Sequence, residues 1–114
     1  MSREFIRLPE FEKQCKHIGL TEDDVKDIES VLLLNYTAGD LIKGTGGIRK
    51  LRHALPNGGK SGGVRLIYID FISYEKAYLI TVYAKKEMDN LSQVERNELK
   101  KLVKILELEL KRQV

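Results

Sequence analysis

Two apolar runs, separated by only five residues, constrain the fold more than any other part of the sequence. Val64–Phe71 reads VRLIYIDF and Ala77–Ala84 reads AYLITVYA, and both are rich in the β-branched and aromatic residues that favour strands. The short connection predicts an antiparallel pair. Because both faces are apolar, this pair should be central in a sheet, with helices over at least one side. Ile48–Leu55 is predicted as a third strand of the same meander, and Phe5–Leu8 as a short first strand.

Three other segments have the apolar spacing and end signals of helices. The first is predicted from Pro9 to Gly19. The second begins at the capping box of Thr21 and Asp24 and is expected to stop near Gly39. A capping box of Ser92 and Glu95 starts the last helix. The expected buried positions are Phe11, Cys15 and Ile18 in the first helix, Val25, Ile28, Val31, Leu32 and Tyr36 in the second, and Leu99, Leu102, Val103, Leu106 and Leu110 in the last.

These elements predict an α+β domain that occupies residues 1–114. Its sheet is small and antiparallel, with about three to four strands, and it is accompanied by two N-terminal helices and one C-terminal helix. A chain of 114 residues corresponds to a single domain. Cys15 is the only cysteine and the two histidines are isolated, so no metal site and no cofactor are expected. The sequence has neither a signal peptide nor a run of 18 apolar residues, which predicts a cytoplasmic protein without a membrane contact.

Positive charge is concentrated between the second helix and the sheet. Residues 39–65 contain eight of the nine glycines, and residues 41–65 contain six basic residues and no acid, although the net charge of the whole chain is only +3. A glycine-rich basic segment is suited to phosphate, since backbone N–H groups can approach an anion closely where there is no Cβ. The basic residues are Lys43, Arg49, Lys50, Arg52, Lys60 and Arg65.

A meander brings several of these cations to one end of the sheet. The start of the strand that carries Arg65 lies beside the end of the next strand, which Lys85 and Lys86 follow. Clustered cations lower the pKa of a lysine, which can then transfer protons near neutral pH, and an arginine can brace a phosphate that gains charge. We expect Arg65 to point to the surface, so that its replacement costs little stability. Plain RNA binding, or binding of an antagonist protein, is the alternative that charge alone leaves open.

A nucleotide-triphosphate site is not supported by Gly59-Lys60-Ser61. The phosphate-loop pattern GxxxxGK[ST] needs a glycine where Ala54 stands, and it needs a helix where a strand is predicted.

The runs GTGGIRKLRHALPNGGKSGGVRLIYIDF and LITVYAKKEMDNLSQVERNELKKLV resemble the RelE/HigB family of toxins from type II toxin–antitoxin modules, most of all its prophage-type, HigB-like branch. The resemblance covers about residues 40–105 and implies a RelE-like fold. It also implies an mRNA endonuclease that cuts codons in the ribosomal A site without a metal, by attack of the ribose 2′-hydroxyl on the adjacent phosphate.

The resemblance assigns roles to particular residues. Lys60, Arg65, Lys85 and Lys86 match the catalytic pattern: Arg65 would brace the scissile phosphate, and Lys60 with Lys85 or Lys86 would supply proton transfer and charge stabilisation. RNA contacts are expected from Lys43, Arg49, Lys50, Arg52 and Tyr83. Some relatives carry a tyrosine or histidine near the start of the last helix, where this chain has Asn90-Leu91-Ser92. His53 shares a strand face with Leu51 and Leu55, which favours a structural role.

The implied partners are a helix-turn-helix antitoxin and the mRNA in the A site, with contacts to 16S rRNA. The toxin itself would be a monomer or would lie in a complex with its antitoxin. Two other functions stay open: a ParE-like toxin that poisons gyrase, and an inactive prophage remnant or binding module.

Overall fold

The computed structural model describes residues 2–55, 63–84 and 91–113. Its elements are β1 (Glu4–Arg7), α1 (Pro9–Ile18), α2 (Glu22–Leu34), β2 (Asp40–Leu41), β3 (Arg49–His53), β4 (Val64–Phe71), a 3-10 turn (Ile72–Tyr74), β5 (Lys76–Ala84) and α3 (Gln93–Arg112). The fold is α+β, and the three helices and the β3–β4–β5 meander occur in the predicted order.

Among the described residues the sheet has five strands in the order β1-β5-β4-β3-β2, and it is mixed rather than purely antiparallel. β1 pairs with β5 in parallel, and the two-residue β2 extends the antiparallel part beside β3. The observed sheet therefore has one or two strands more than predicted, and it contains one parallel pair where only antiparallel pairs were expected. The two residues of β2 are too few to show an alternation of apolar and polar side chains. The direction of β1 depends on where this segment docks on the sheet and not on the residue pattern of β1 itself.

An irregularity in β5 decides which side chains face which helix. Ile67 is paired with Thr81, whereas Tyr68 is paired with Leu79, so Ile80 is an extra residue on β5. Such a bulge reverses the alternation of the strand. As a result, Tyr83 lies on the opposite face of the sheet from Leu79.

Helices cover both faces of the sheet and form two cores. The core under α1 and α2 includes Phe11, Cys15, Ile28, Leu32, Leu66, Tyr68, Leu79 and Val82. The core under α3 includes Ile48, Ile67, Ile69, Tyr78, Ile80, Tyr83, Val103, Leu106 and Leu110. The prediction that the two apolar strands are covered by helices is confirmed, with coverage on both sides.

The helix starts follow the predicted capping chemistry, but α2 ends earlier than expected. Both capping boxes form, and Gly19 ends α1 with a left-handed φ of 77°. α2 stops at Leu34, because Asn35 leaves the helical region and its side-chain oxygen accepts from the backbone N–H of Thr37. Tyr36 therefore lies outside the helix, and Val31 is 36% exposed rather than buried.

A buried ion pair links the chain start to the central strand. The Arg3 guanidinium donates to both carboxylate oxygens of Asp70, with Nη2–Oδ1 at 2.7 Å, and the two side chains are only 2% and 4% exposed. The Arg3 guanidinium also lies 4.7 Å from the centre of the Tyr36 ring. This contact fixes both the N-terminal segment and the chain that follows α2.

Candidate nucleic-acid interface

Three polar side chains form a row across the sheet on the face that α3 covers. The strand register places Arg52 opposite Arg65 and places Arg65 opposite Tyr83. Directly opposed residues on antiparallel strands have Cβ atoms about 5 Å apart. The row therefore brings two guanidinium side chains and a phenol together near one end of the central strands.

Arg65 is buried, contrary to the expectation that it points to the surface. Only 7% of the residue is exposed, and its Nη1 donates to the carbonyl oxygen of Val64 at 3.4 Å. Arg65 is the second residue of β4, and β4 is flanked by β3 and β5, which leaves little solvent around its side chain. The expectation that Arg65 points to the surface was wrong, and its removal is now expected to lower stability as well as to remove a charge.

Tyr83 is also buried, with 5% exposure, and it packs in the core under α3. So little of its ring is open that it cannot offer a broad surface for stacking on a base. Its position directly opposite Arg65 places a phenol side chain next to the guanidinium side chain on the same face of the sheet.

Lys43 and Lys50 line a cleft of about 290 Å³ beside this row. Lys50 lies on the same strand face as Arg52, two residues away, and Lys43 lies in the loop before β3. Arg96, in the first turn of α3, also borders the cleft, together with Asp40 and Leu91. Sequence analysis missed Arg96 because its helical spacing gives no sign that this turn lies against β3.

Arg49 lies on the other face of the sheet. It is opposite Tyr68, whose side chain packs in the core under α1 and α2, and its Nη1 donates to the carbonyl oxygen of Gly39 at 3.2 Å. The structure therefore does not bring Arg49 together with the row. His53 is half-buried on the same face as Arg49, as the strand phase predicted.

Three predicted catalytic residues, Lys60, Lys85 and Lys86, lie outside the described residues. Within the described ranges, no group of three or more His, Cys, Asp or Glu side chains is arranged to hold a metal ion. Of the helices in the part of the chain that the structure describes, none is long and apolar enough to cross a membrane.

Comparison with protein families gives a match over almost the whole chain. The family model described as the RelE toxin of the RelE/RelB toxin–antitoxin system matches residues 9–114. The chain belongs to this toxin family. Its α+β architecture, with three helices and a small five-stranded sheet, is consistent with a RelE-like fold. The toxin is accordingly one component of a toxin–antitoxin pair, and its partner is an antitoxin.

Proposed function

We propose that the toxin is a ribosome-dependent mRNA endonuclease that inhibits translation by cleaving codons in the ribosomal A site. The observation that carries this proposal is the buried Arg65, which lies directly between Arg52 and Tyr83 at one end of the sheet. A buried guanidinium with charged and polar neighbours is a fixed anchor for an anion. Toxins of this family are generally endoribonucleases, which supports the same conclusion.

In the proposed chemical step, the mRNA held in the ribosomal A site reacts with the side chains of the toxin as acid and base. The ribose 2′-oxygen attacks the adjacent phosphorus while its proton passes to a base, and the bond to the 5′-oxygen breaks as that oxygen receives a proton. The products are a 2′,3′-cyclic phosphate and a 5′-hydroxyl. Arg65 would donate hydrogen bonds to the phosphate oxygens as negative charge builds up on them, and its fixed position avoids reorganisation during the step.

Proton transfer is assigned to the lysines of the catalytic pattern. Lys85 directly follows Ala84, and Ala84 is paired with Val64, the neighbour of Arg65. A lysine close to the two arginines of the row would have a lowered pKa, because a further positive charge there is unfavourable. Lys60, Lys85 and Lys86 are therefore the candidates for the general base and general acid.

Binding of the RNA strand is assigned to the more accessible cations. Arg52 and Lys43 are exposed and Lys50 is half-buried, and all three border the row or the adjoining cleft. Phosphate contacts of this kind position the strand without reading its sequence. We further propose that the antitoxin is a helix-turn-helix protein, that the toxin belongs to the HigB-like branch, and that it acts in the cytoplasm as a monomer until the antitoxin binds it.

The proposal is tested by inducing the toxin in a bacterial host and mapping mRNA 5′ ends on translated and untranslated copies of one transcript. Cleavage confined to the translated copy is the expected result. Growth arrest with intact mRNA would contradict it and direct the next assay to gyrase. Absence of arrest would indicate an inactive protein or a binding module.

Variants of Arg65 connect that activity to the site. Arg65→Gln should reduce cleavage about 100-fold, as loss of one preorganised donor to an anionic transition state commonly does. Arg112→Gln, an exposed arginine at the end of α3, is the matched control and should cleave normally. Because Arg65 is buried, thermal unfolding of each variant is measured in parallel. Normal cleavage by a folded Arg65→Gln protein would refute the assignment.

A further inference from the structure

The cleft beside the polar row has the composition of an anion site. It is enclosed by the strand edge at Asp40, the loop residue Lys43, Lys50 of β3, and Leu91 and Arg96 at the start of α3. Among these described residues, three side chains are cationic and one is acidic. Its volume of about 290 Å³ exceeds what a single phosphate group needs, so a phosphate could enter with part of its nucleotide.

Arg96 is the residue that points to a ligand. Its Nε atom is buried, yet within the described part of the chain it has no hydrogen-bond partner. A buried donor without an acceptor is costly, and the cost is greater when the donor is charged. The capping box of α3 is formed by the side chains of Ser92 and Glu95, so it does not use the Arg96 guanidinium. Since Arg96 borders the cleft, an anion bound there would lie beside its guanidinium and compensate that charge.

The cleft continues the proposed catalytic row. Lys50 and Arg52 lie on the same face of β3 and are two positions apart, which corresponds to about 6.7 Å along a strand. One nucleotide of an extended single strand can cover such a step. A strand whose scissile phosphate lies at Arg65 would therefore place a neighbouring phosphate in the cleft.

We propose that this cleft is a second phosphate subsite and that Arg96, together with Lys43 and Lys50, holds an RNA phosphate next to the scissile one. This inference rests on the proposed function. Arg96 is a positioning residue here, because it touches the strand away from the reacting atoms. An arginine suits the role, since its planar fork can bind a phosphate through two parallel hydrogen bonds.

The test measures binding separately from cleavage. The probe is a short, fluorescently labelled, single-stranded RNA with 2′-O-methyl groups, which cannot be cleaved by 2′-hydroxyl attack. Dissociation constants are determined by fluorescence anisotropy over a series of salt concentrations. Arg96→Gln should weaken binding roughly tenfold, the effect of losing one hydrogen bond between charged groups. It should also reduce the slope of log affinity against log salt by about 0.7, the value for one phosphate contact on a single strand.

Three further variants separate a phosphate contact from a change in the fold. Lys43→Gln removes an exposed cation of the same cleft and should also weaken binding. Asp40→Asn removes the acid and should tighten binding by roughly threefold, because the negative charge that borders the cleft no longer repels the phosphate. Lys100→Gln removes an exposed cation from the same helix outside the cleft, and it should bind like the wild type.

The outcomes separate this inference from the proposed function. Affinities of Arg96→Gln and Lys43→Gln equal to that of Lys100→Gln would overturn the subsite, even if the wild type cleaves translated mRNA. Weakened binding of Arg96→Gln together with absence of cleavage would support the phosphate subsite and contradict the nuclease. Unchanged RNA binding combined with weaker binding of the purified antitoxin would assign the cleft to an acidic side chain of that protein and overturn the proposal.

Discussion

The buried pair of Arg3 and Asp70 gives the sharpest test of how this fold is held together. The perturbation is Asp70→Asn, which keeps the size of the side chain but removes its charge. Arg3 would then stay almost completely enclosed, since its side chain is 2% exposed, without a carboxylate to receive its two N–H donors. The hydrogen bond to Asp70 also raises the pKa of Arg3, so the guanidinium cannot escape by losing its proton.

The size of the effect follows from that geometry. Removing one partner of a buried ion pair typically costs about 3–5 kcal/mol, because the remaining charge is desolvated and uncompensated. Contact with the Tyr36 ring retains about 1 kcal/mol of favourable interaction for Arg3, which favours the lower end of that range. We therefore expect Asp70→Asn to lower the free energy of unfolding by about 3 kcal/mol. A domain of this size has only about 5–15 kcal/mol in total.

Urea denaturation of four proteins measures this coupling: the wild type, Asp70→Asn, Arg3→Met and the double variant. The double variant should lose about 2 kcal/mol less than the sum of the single losses, since neither charge is then left alone. Asp27→Asn, an exposed acid on α2, is the control and should change stability by less than about 0.5 kcal/mol. Additive losses, with unchanged dependence on urea, would refute the claim that the pair acts as a unit.

Three further predictions concern other parts of the chain. Gly63→Ala should destabilise the toxin by several kcal/mol more than Gly44→Ala in the same urea assay. Both glycines have a positive φ, but of the two only a Cβ at position 63 would overlap a carbonyl oxygen of β3, so equal losses would contradict this. Burial raises the pKa of the Cys15 thiol to about 11, so alkylation of this thiol at pH 8 should be slow in the folded toxin and fast in urea. Rapid labelling of the folded protein would be inconsistent with the packing of α1. The hydrogen bonds from Arg7 lower the pKa of Glu22, so Glu22→Gln should be less stable than the wild type at pH 7. That difference should disappear as the pH falls below about 4.3 and through the lowered folded pKa, because the carboxylate is then protonated in the wild type as well. Thermal melts of both proteins across that range measure it, and a difference that persists in acid would contradict the prediction.

Local chemistry made most of the fold predictable. Capping boxes, a left-handed glycine and alternating apolar strands are properties of a few neighbouring residues, and each was found where the sequence indicated it. The errors lay where distant contacts decide. β1 is parallel to β5, and this pairing joins segments far apart in the sequence, so no local pattern specifies its direction. α2 is shorter than its apolar pattern because Asn35 bonds to the chain that follows.

The candidate site was predictable to the same extent. Strand phase placed Lys50 and Arg52 on one face, and the meander predicted that the start of β4 lies beside the end of β5. The bulge at Ile80 could not be read from alternation, and it is this bulge that turns Tyr83 towards the face of Arg65. Arg96 was missed for a related reason: the way in which a helix docks on a sheet is set by both surfaces, and the sequence of α3 describes only one of them.

The burial of Arg65 links the stability of the toxin to the activity proposed for it. A solvent-exposed arginine loses its hydration and its side-chain entropy when it binds a phosphate. Arg65 has already lost both on folding, because its side chain is buried between β3 and β5. The unfavourable free energy of burying this charge is therefore part of the folding free energy, where packing of the two cores offsets it. A phosphate bound at the row would interact favourably with the Arg65 guanidinium, so an anionic ligand should stabilise the folded toxin. Substitutions in the central strands should therefore affect anion binding at the proposed site, and substitutions at the site should affect the stability of the fold.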